Sequence, residues 1–157
     1  MKIAIYPGSF DPITYGHLDI LKNAAGIFDK VIIAVAHNGA KNGFLNVEER
    51  VRLIKESIND IPNVEADSFE GLTIEYAKKM GATVLIRGLR AVSDFEFEMQ
   101  LSQTNSALCD EIKTVFLTTK PEYNFISSST IKEILANGGD ISKFVPEPVY
   151  NYLTSRK

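Results

Sequence analysis

The chain has 157 residues, 45% hydrophobic and 24% charged, with a formal net charge of −3; that length fits one domain with a substantial core. The acidic balance, with a pI near 5.4, argues against a general nucleic-acid binder and requires any anionic ligand to be held by a local cluster of positive groups. No apolar run reaches the roughly 18 residues of a membrane helix, the start Met1-Lys2-Ile3-Ala4-Ile5 reads as a strand rather than a signal peptide, and the single thiol, Cys109, cannot form an internal disulfide, which suits a reducing cytoplasm.

Lys2 to Tyr6 reads as a buried strand, and Leu18, Leu21, Ala25 and Phe28 then recur at helical spacing. Val31 to Ala36 is a second strand, apolar on both faces as parallel strands are. Asn38 to Gly43 is a flexible loop. Asn46 caps a helix with Glu49 completing the box, and Val47, Val51, Ile54 and Ile58 form its apolar face. Asn63 to Ser68 is a shorter strand. Thr73 to Met80 is a short helix closed by Gly81. Thr83 to Arg87 is another buried strand. Ser93, with Glu96, caps a long helix reaching about Leu108. Ile112 to Thr118 is the last strand. Ser127 or Ser128 caps a helix ending at Gly138-Gly139, and short helical segments follow around Ser142 and after Pro146-Glu147-Pro148. Val145 to Lys157 either packs on the domain or forms a subunit contact.

Strands alternating with helices imply a parallel sheet with right-handed crossovers. The expected fold is a single doubly wound, Rossmann-like α/β domain over residues 1–157, with about five strands and helices on both faces. Ligands of such sheets sit outside the carboxyl ends of the strands, at the switch point in strand order. That singles out the loops at 7–17, 37–45, 69–73, 87–92 and 119–128.

The first loop runs from Pro7 to His17. Gly8 allows a sharp turn, Ser9 offers a hydroxyl and an N–H, and Gly16 lets a phosphate approach the backbone at a helix start, where free N–H groups and the dipole favour anions. His17 falls in the first helical turn, which keeps an imidazole neutral and makes it a hydrogen-bond donor; the plainer alternative is a cap or surface histidine. In Arg87-Gly88-Leu89-Arg90 the glycine permits a tight turn, so that two guanidinium groups diverge toward different phosphates. Lys41, on a glycine-rich loop, either closes over a phosphate or is solvated like Lys22, Lys30 and Lys55. The run Glu122 to Thr130 places serine hydroxyls at a helix start and Tyr123 where it could stack on a base. His37, the other histidine, reads as structural. Neither GxGxxG nor GxxxxGK[ST] occurs, which excludes a dinucleotide-binding oxidoreductase and a P-loop enzyme.

The segment Gly8-Ser9-Phe10-Asp11-Pro12-Ile13-Thr14-Tyr15-Gly16-His17 resembles the GxFDPxHxGH signature of the nucleotidyltransferase superfamily with the (H/T)xGH motif. Thr14 stands at the first motif position, so the resemblance implies one catalytic imidazole, His17. With Leu85 to Arg90, Asp94 to Gln100 and Phe125 to Ser129, the chain is similar over nearly its whole length to the bacterial phosphopantetheine adenylyltransferase family. Ser9 and Tyr123 stand where that family often has Thr and Trp, which keeps the hydroxyl and the ring.

The resemblance implies adenylyl transfer from ATP to phosphopantetheine, with Mg²⁺ held mainly by substrate phosphates and no metal ligands from the chain. It implies His17, Lys41 and Arg90 as catalytic residues. ATP would meet Ser9, Phe10, His17, Gly88, Leu89, Arg90, Glu98, Tyr123, Asn124, Phe125, Ile126, Ser127, Ser128 and Ser129. Phosphopantetheine would meet Ser9, Lys41, Thr73 and Arg87. It also implies a homo-oligomer, typically a hexamer, with coenzyme A as feedback inhibitor and neither nucleic acid nor membrane as partner. The competing readings are a related adenylyl- or cytidylyltransferase and a nucleotide-sensing module without turnover.

Overall fold

The β-branched runs found in the sequence form five parallel strands in the order β3-β2-β1-β4-β5. They are β1 (Ile3–Gly8), β2 (Lys30–His37), β3 (Val64–Glu70), β4 (Val84–Leu89) and β5 (Lys113–Thr118). In this computed structural model residues 1–37, 43–90 and 92–156 are described, apart from the side chains of Val92 and Ser93. Strand alternation divides the core in two. Ala4, Tyr6, Val31, Ile33 and Val35 face one side of the sheet, in the larger cluster with Leu18, Leu21, Leu53, Ile54, Ile131, Val149 and Leu153. Ile5, Ile32, Ala34 and Leu85 face the other, with Phe69, Ile74, Tyr76, Ala77 and Ile112.

Among the described residues six α-helices connect or cover the strands: α1 (Tyr15–Ile27), α2 (Val47–Ser57), α3 (Thr73–Lys79), α4 (Val92–Leu108), α5 (Ser128–Ala136) and α6 (Glu147–Ser155). Asn46 caps α2 with Glu49 in a reciprocal box, and Ser127 rather than Ser128 caps α5, accepting from the Thr130 N–H at 3.1 Å. Helix α4 begins at Val92, so Ser93 lies inside it, and the side-chain cap expected of Ser93 falls outside the described residues. Residues around Ser142 form a turn, not a helix; Asp140 accepts from the Ser142 backbone N–H and from its hydroxyl at 2.9 and 3.0 Å, a local bond that competes with helix formation. Helix α6 packs on α2, with Tyr152 donating to the Glu49 carboxylate.

Two glycine expectations are corrected. Gly8 and Gly88 are the penultimate or last residues of strands, not turn centres, and neither has a positive φ. Both are there for space. A Cβ on Gly8 would stand 3.0 Å from the Phe10 ring, and one on Gly88 would stand 3.2 Å from Ile20. The turn after β1 is made by Phe10 itself, at φ 46°. A bulky residue rarely adopts that conformation, and such strain persists only where surrounding packing holds it.

The chain runs from β1 outward to β3, then returns to β4 on the other side of β1. The switch point therefore lies between β1 and β4, and their C-terminal loops border the same crevice.

Candidate active site

A cleft of about 260 Å³ opens at that switch point. It is lined from β1, its loop and α1 by Tyr6, Ser9, Phe10, Thr14 and His17, from β4 and the residue after it by Arg87, Gly88 and Arg90, from α4 by Asp94 and Glu98, and from the loop after β5 and the start of α5 by Thr119, Ile126, Ser127 and Ser128.

His17 is the third residue of α1, and its ring orientation is fixed. The Thr14 hydroxyl accepts from the His17 N–H, and the Thr14 backbone N–H donates to His17 Nδ1 at 3.0 Å. This is a capping box with histidine in the place of the usual Glu or Gln. A backbone N–H can only donate, so Nδ1 must be the unprotonated nitrogen and the proton of the neutral ring sits on Nε2. Desolvation, helped by the nearby Arg90 charge, lowers the His17 pKa to about 4. The ring is therefore a neutral Nε2–H donor at neutral pH. Phe10 packs edge-on against it, with centroids 5.0 Å apart. Burial pushes the Tyr6 phenol well above its ordinary range, against the opposing charges of Arg87 and Arg90, so Tyr6 presents a neutral hydroxyl.

The two arginines are held by acids. Arg87 Nε and Nη2 donate to the two Glu98 oxygens at 2.6 and 2.7 Å, and Nη1 donates to the Pro7 carbonyl at 3.1 Å. Arg90 donates to Asp94 at 3.0 Å and to the Ile126 carbonyl at 2.9 Å. A guanidinium has five N–H donors, so each arginine keeps unused donors for a phosphate.

Buried acids also tie the loops together. Asp11 accepts from the Phe44 and Leu45 backbone N–H groups at 2.8 and 2.7 Å and pairs with Arg50 at 3.5 Å and Lys132 at 3.4 Å. Asp19 accepts from the Lys120 N–H at 2.9 Å, which fixes the loop after β5 to α1. The Ser128 hydroxyl donates to the Pro12 carbonyl at 2.9 Å, bringing the start of α5 beside the first loop.

Of the residues expected at the site, Ser9, Phe10, His17, Arg87, Gly88, Arg90, Glu98, Ile126, Ser127 and Ser128 line one cleft. Glu98, expected on ATP, has both oxygens engaged by Arg87. Leu89, Asn124, Phe125 and Ser129 are not among the lining residues; Phe125 is exposed and meets Phe144 edge-on. Tyr123 stacks on Tyr15, with centroids 6.1 Å apart, and its carbonyl stands 3.7 Å from where a Gly16 Cβ would be. Thr73 opens α3, after the edge strand β3, and is not among the lining residues. Lys41 lies outside the described residues. His37 pairs on the surface with Glu70 at 3.2 Å.

Tyr6, Asp11, Thr14, Asp19 and Thr119 were given no role in the site by the sequence reading. Asp11 and Thr14 carried a usable signal as letters of the quoted signature, and Thr14-x-x-His17 also has capping-box spacing. Among the described residues no three His, Cys, Asp or Glu side chains form a cluster able to hold a metal ion. The cleft's two carboxylates are already paired with arginines, so the side chains present do not fit a protein-built cation site.

The fold and cleft define a nucleotidyltransferase of the Rossmann-like type, and residues 5–134 match the cytidylyltransferase-like family. A solved structure from Vibrio parahaemolyticus, assigned as a nicotinate-nucleotide adenylyltransferase, shares the fold with a TM-score of 0.74 over 98% of this chain and 99% of its own, at 22% identity. Phosphopantetheine adenylyltransferase of Lachnoclostridium phytofermentans is 56% identical over 149 residues, 95% of this chain and 91% of its own. The enzyme of the same name from Caldanaerobacter subterraneus is 52% identical over 156 residues, 99% of this chain and 98% of its own. The chain belongs to the phosphopantetheine adenylyltransferase family.

Proposed function

We propose that this chain transfers the adenylyl group of ATP to phosphopantetheine, giving dephospho-coenzyme A and pyrophosphate. One observation carries the chemistry. A neutral imidazole donor, two arginines and the starts of α1 and α5 converge on one cleft at the switch point. The curated relatives supply the second substrate.

An oxygen of the phosphopantetheine phosphate attacks the α-phosphorus of ATP in line. The new P–O bond forms as the bond to the bridging oxygen breaks, and pyrophosphate leaves with that electron pair. The nucleophile is already an anion, so no general base is needed, and catalysis rests on orientation and on stabilising the developing charge. His17 Nε2–H donates to the α-phosphate oxygens, and the resemblance assigns Lys41 to the same phosphate. Arg90 and the Ser127–Ser129 helix start hold the β- and γ-phosphates. Arg87, braced by Glu98, holds the attacking phosphate, and Ser9 and Thr73 contact phosphopantetheine. Ser9, Phe10 and the backbone of Gly88 and Leu89 contact ATP, with Tyr123 to Ile126 around its nucleoside. Mg²⁺ held by the ATP phosphates would supply charge neutralisation there, with no described side chain of the cleft as its ligand.

The reaction belongs to the cytoplasm, with coenzyme A as feedback inhibitor. Phe95, Phe97, Met99 and Leu108 on α4 are exposed, and an apolar surface of this kind supports a homo-oligomer, a hexamer by resemblance. The test is a product assay: ATP, Mg²⁺ and pyrophosphatase with phosphopantetheine, nicotinamide mononucleotide or glycerol phosphate in separate tubes. Dephospho-coenzyme A in the first tube is the expected outcome. Its absence overturns the assignment, and product in no tube favours a sensing module.

A further inference from the structure

Arg50 stands in the first turn of α2 and is 7% exposed, a rare state for an arginine. Its Nε donates to the Leu45 carbonyl at 2.8 Å and its Nη1 to the Ser9 carbonyl at 3.4 Å, and it pairs with the buried Asp11. Asp11 in turn accepts from the Phe44 and Leu45 N–H groups. The backbone of Gly43 lies directly on this pair: a Cβ there would stand 2.5 Å from Asp11 Oδ2 and closer still to Arg50 Nη2. One ion pair therefore joins the loop after β1 to the segment that follows β2 and leads into α2.

A buried ion pair is a weak source of stability, since well-packed apolar side chains of the same volume often serve as well. What a guanidinium adds is direction, five N–H donors in a rigid fork. Here the fork meets two backbone carbonyls and a carboxylate, and one of those carbonyls belongs to Ser9, which lines the cleft. We infer that Arg50 is a positioning residue for the transfer: by holding the Ser9 carbonyl and the Asp11 carboxylate, it aims the Ser9 hydroxyl and N–H at the attacking phosphate. The inference rests on the adenylyl-transfer reading for the identity of that phosphate. The sheet order makes the effect one-sided. Strands β2 and β4 flank β1 on opposite sides. Arg50 ties the first loop to the β2 side, whereas Arg90 follows β4 and bonds Asp94 and Ile126, neither of which Arg50 touches. In-line attack tolerates little misplacement of the nucleophile, about 1 Å costing up to 10²-fold.

The test compares the full chain with Arg50→Lys, Gly43→Ala and Tyr152→Phe, by steady-state kinetics in both substrates and by calorimetric binding of ATP and phosphopantetheine. Arg50→Lys keeps the buried charge opposite Asp11 and loses the fork. Gly43→Ala keeps every group of the pair and displaces them. Tyr152→Phe is the control: it removes the hydroxyl that bonds Glu49 on α2 and touches neither loop. In Arg50→Lys and Gly43→Ala, kcat falls about tenfold or more, and the KM and calorimetric Kd for phosphopantetheine rise about tenfold. Their KM and Kd for ATP stay within about twofold of the parent, and Tyr152→Phe keeps all of these values within about twofold. Arg50→Lys with parental kcat and phosphopantetheine affinity overturns the inference. So does an equal loss for both substrates, the same loss in Tyr152→Phe, or a failure of both Arg50→Lys and Gly43→Ala to fold, which makes the pair structural alone. A parent that binds phosphopantetheine yet gives no product in the assay above overturns the adenylyl-transfer reading and leaves the comparison of affinities standing. A parent that does not bind phosphopantetheine overturns both.

Discussion

Replacing His17 by alanine separates stabilisation of the transition state from binding of the ground state. The imidazole contributes one preorganised donor, Nε2–H, because Nδ1 is occupied by the Thr14 N–H at 3.0 Å. Losing a donor of this kind costs about 10²–10³-fold in kcat, or about 3–4 kcal/mol. The same change removes half of the box at the start of α1, about 0.5–1 kcal/mol of stability, a small part of the 5–15 kcal/mol of an ordinary domain. His17→Ala therefore folds, keeps its KM for ATP and loses turnover. The assay is steady-state pyrophosphate release from pH 5 to 9, since kcat/KM reports groups of the free enzyme. With its pKa lowered to about 4, His17 contributes no titration near 6.5. Acidic limbs shared by parent and variant belong to the substrate phosphates. Turnover within about tenfold of the parent refutes the role of the side chain, and a limb near 6.5 present only in the parent refutes the neutral donor.

Three further outcomes follow from the same contacts. The folded pKa of His17 lies below the unfolded 6.5, so both states are neutral above pH 6.5 and the unfolded chain protonates first as pH falls. Stability is then lost between about 6.5 and 4, with an upper bound of about 3 kcal/mol from the shift and about 1–2 kcal/mol expected after solvent screening of the partly exposed ring. Urea melts of the parent and His17→Ala at pH 7.5 and 4.5 check this, and a parent–variant difference that does not change with pH contradicts it. Asp11→Ala strands Arg50 and Lys132 and two backbone N–H groups, which costs about 3–5 kcal/mol; a loss below about 1 kcal/mol by urea denaturation refutes the clamp. Glu98→Gln weakens the brace on Arg87 and raises the KM for phosphopantetheine about tenfold, the value of one charge-assisted bond, at little change in the KM for ATP; a rise confined to ATP places Glu98 on the nucleotide instead.

The layered fold was legible because its strands carry their signal locally. Val31 to Ala36 and Val84 to Ile86 are apolar on both faces, and each is followed by helical periodicity. The glycines were legible only as glycines. A sequence does not say whether the missing Cβ serves a positive φ or a neighbour's volume, and at Gly8 and Gly88 it serves Phe10 and Ile20. The positive φ went to Phe10, a residue type that gives no such warning. Arg87 and Glu98 were both singled out, but their bidentate pairing joins β4 to α4 and depends on how that helix docks. Asp11 was one letter of a motif, and its partners Phe44, Leu45 and Arg50 lie more than 30 residues away, beyond any local pattern.

Those long-range acids answer the difficulty raised by the composition, an acidic chain with a site for several phosphates. The carboxylates near the cleft are not available to repel an anion. Asp11 is spent on backbone N–H groups and two cations, Asp19 on the Lys120 N–H, Glu98 on Arg87 and Asp94 on Arg90. Each fixes a loop or a guanidinium in place before substrate arrives. Reorganisation that would otherwise be charged to the reaction is then completed during folding, the condition under which fixed dipoles stabilise developing charge best. Glu98 and Asp94 also lower the net positive field that Arg87 and Arg90 would exert in the free protein. On the proposed reading of the site, anion selectivity comes from directed donors, namely Nε2–H of His17, the remaining guanidinium N–H groups and the N–H groups at the starts of α1 and α5, rather than from bulk charge. Binding that rests on directed donors in a partly closed cleft loses less to added salt than binding to an open basic surface, which fits a chain whose overall charge gives it no long-range attraction for its substrates.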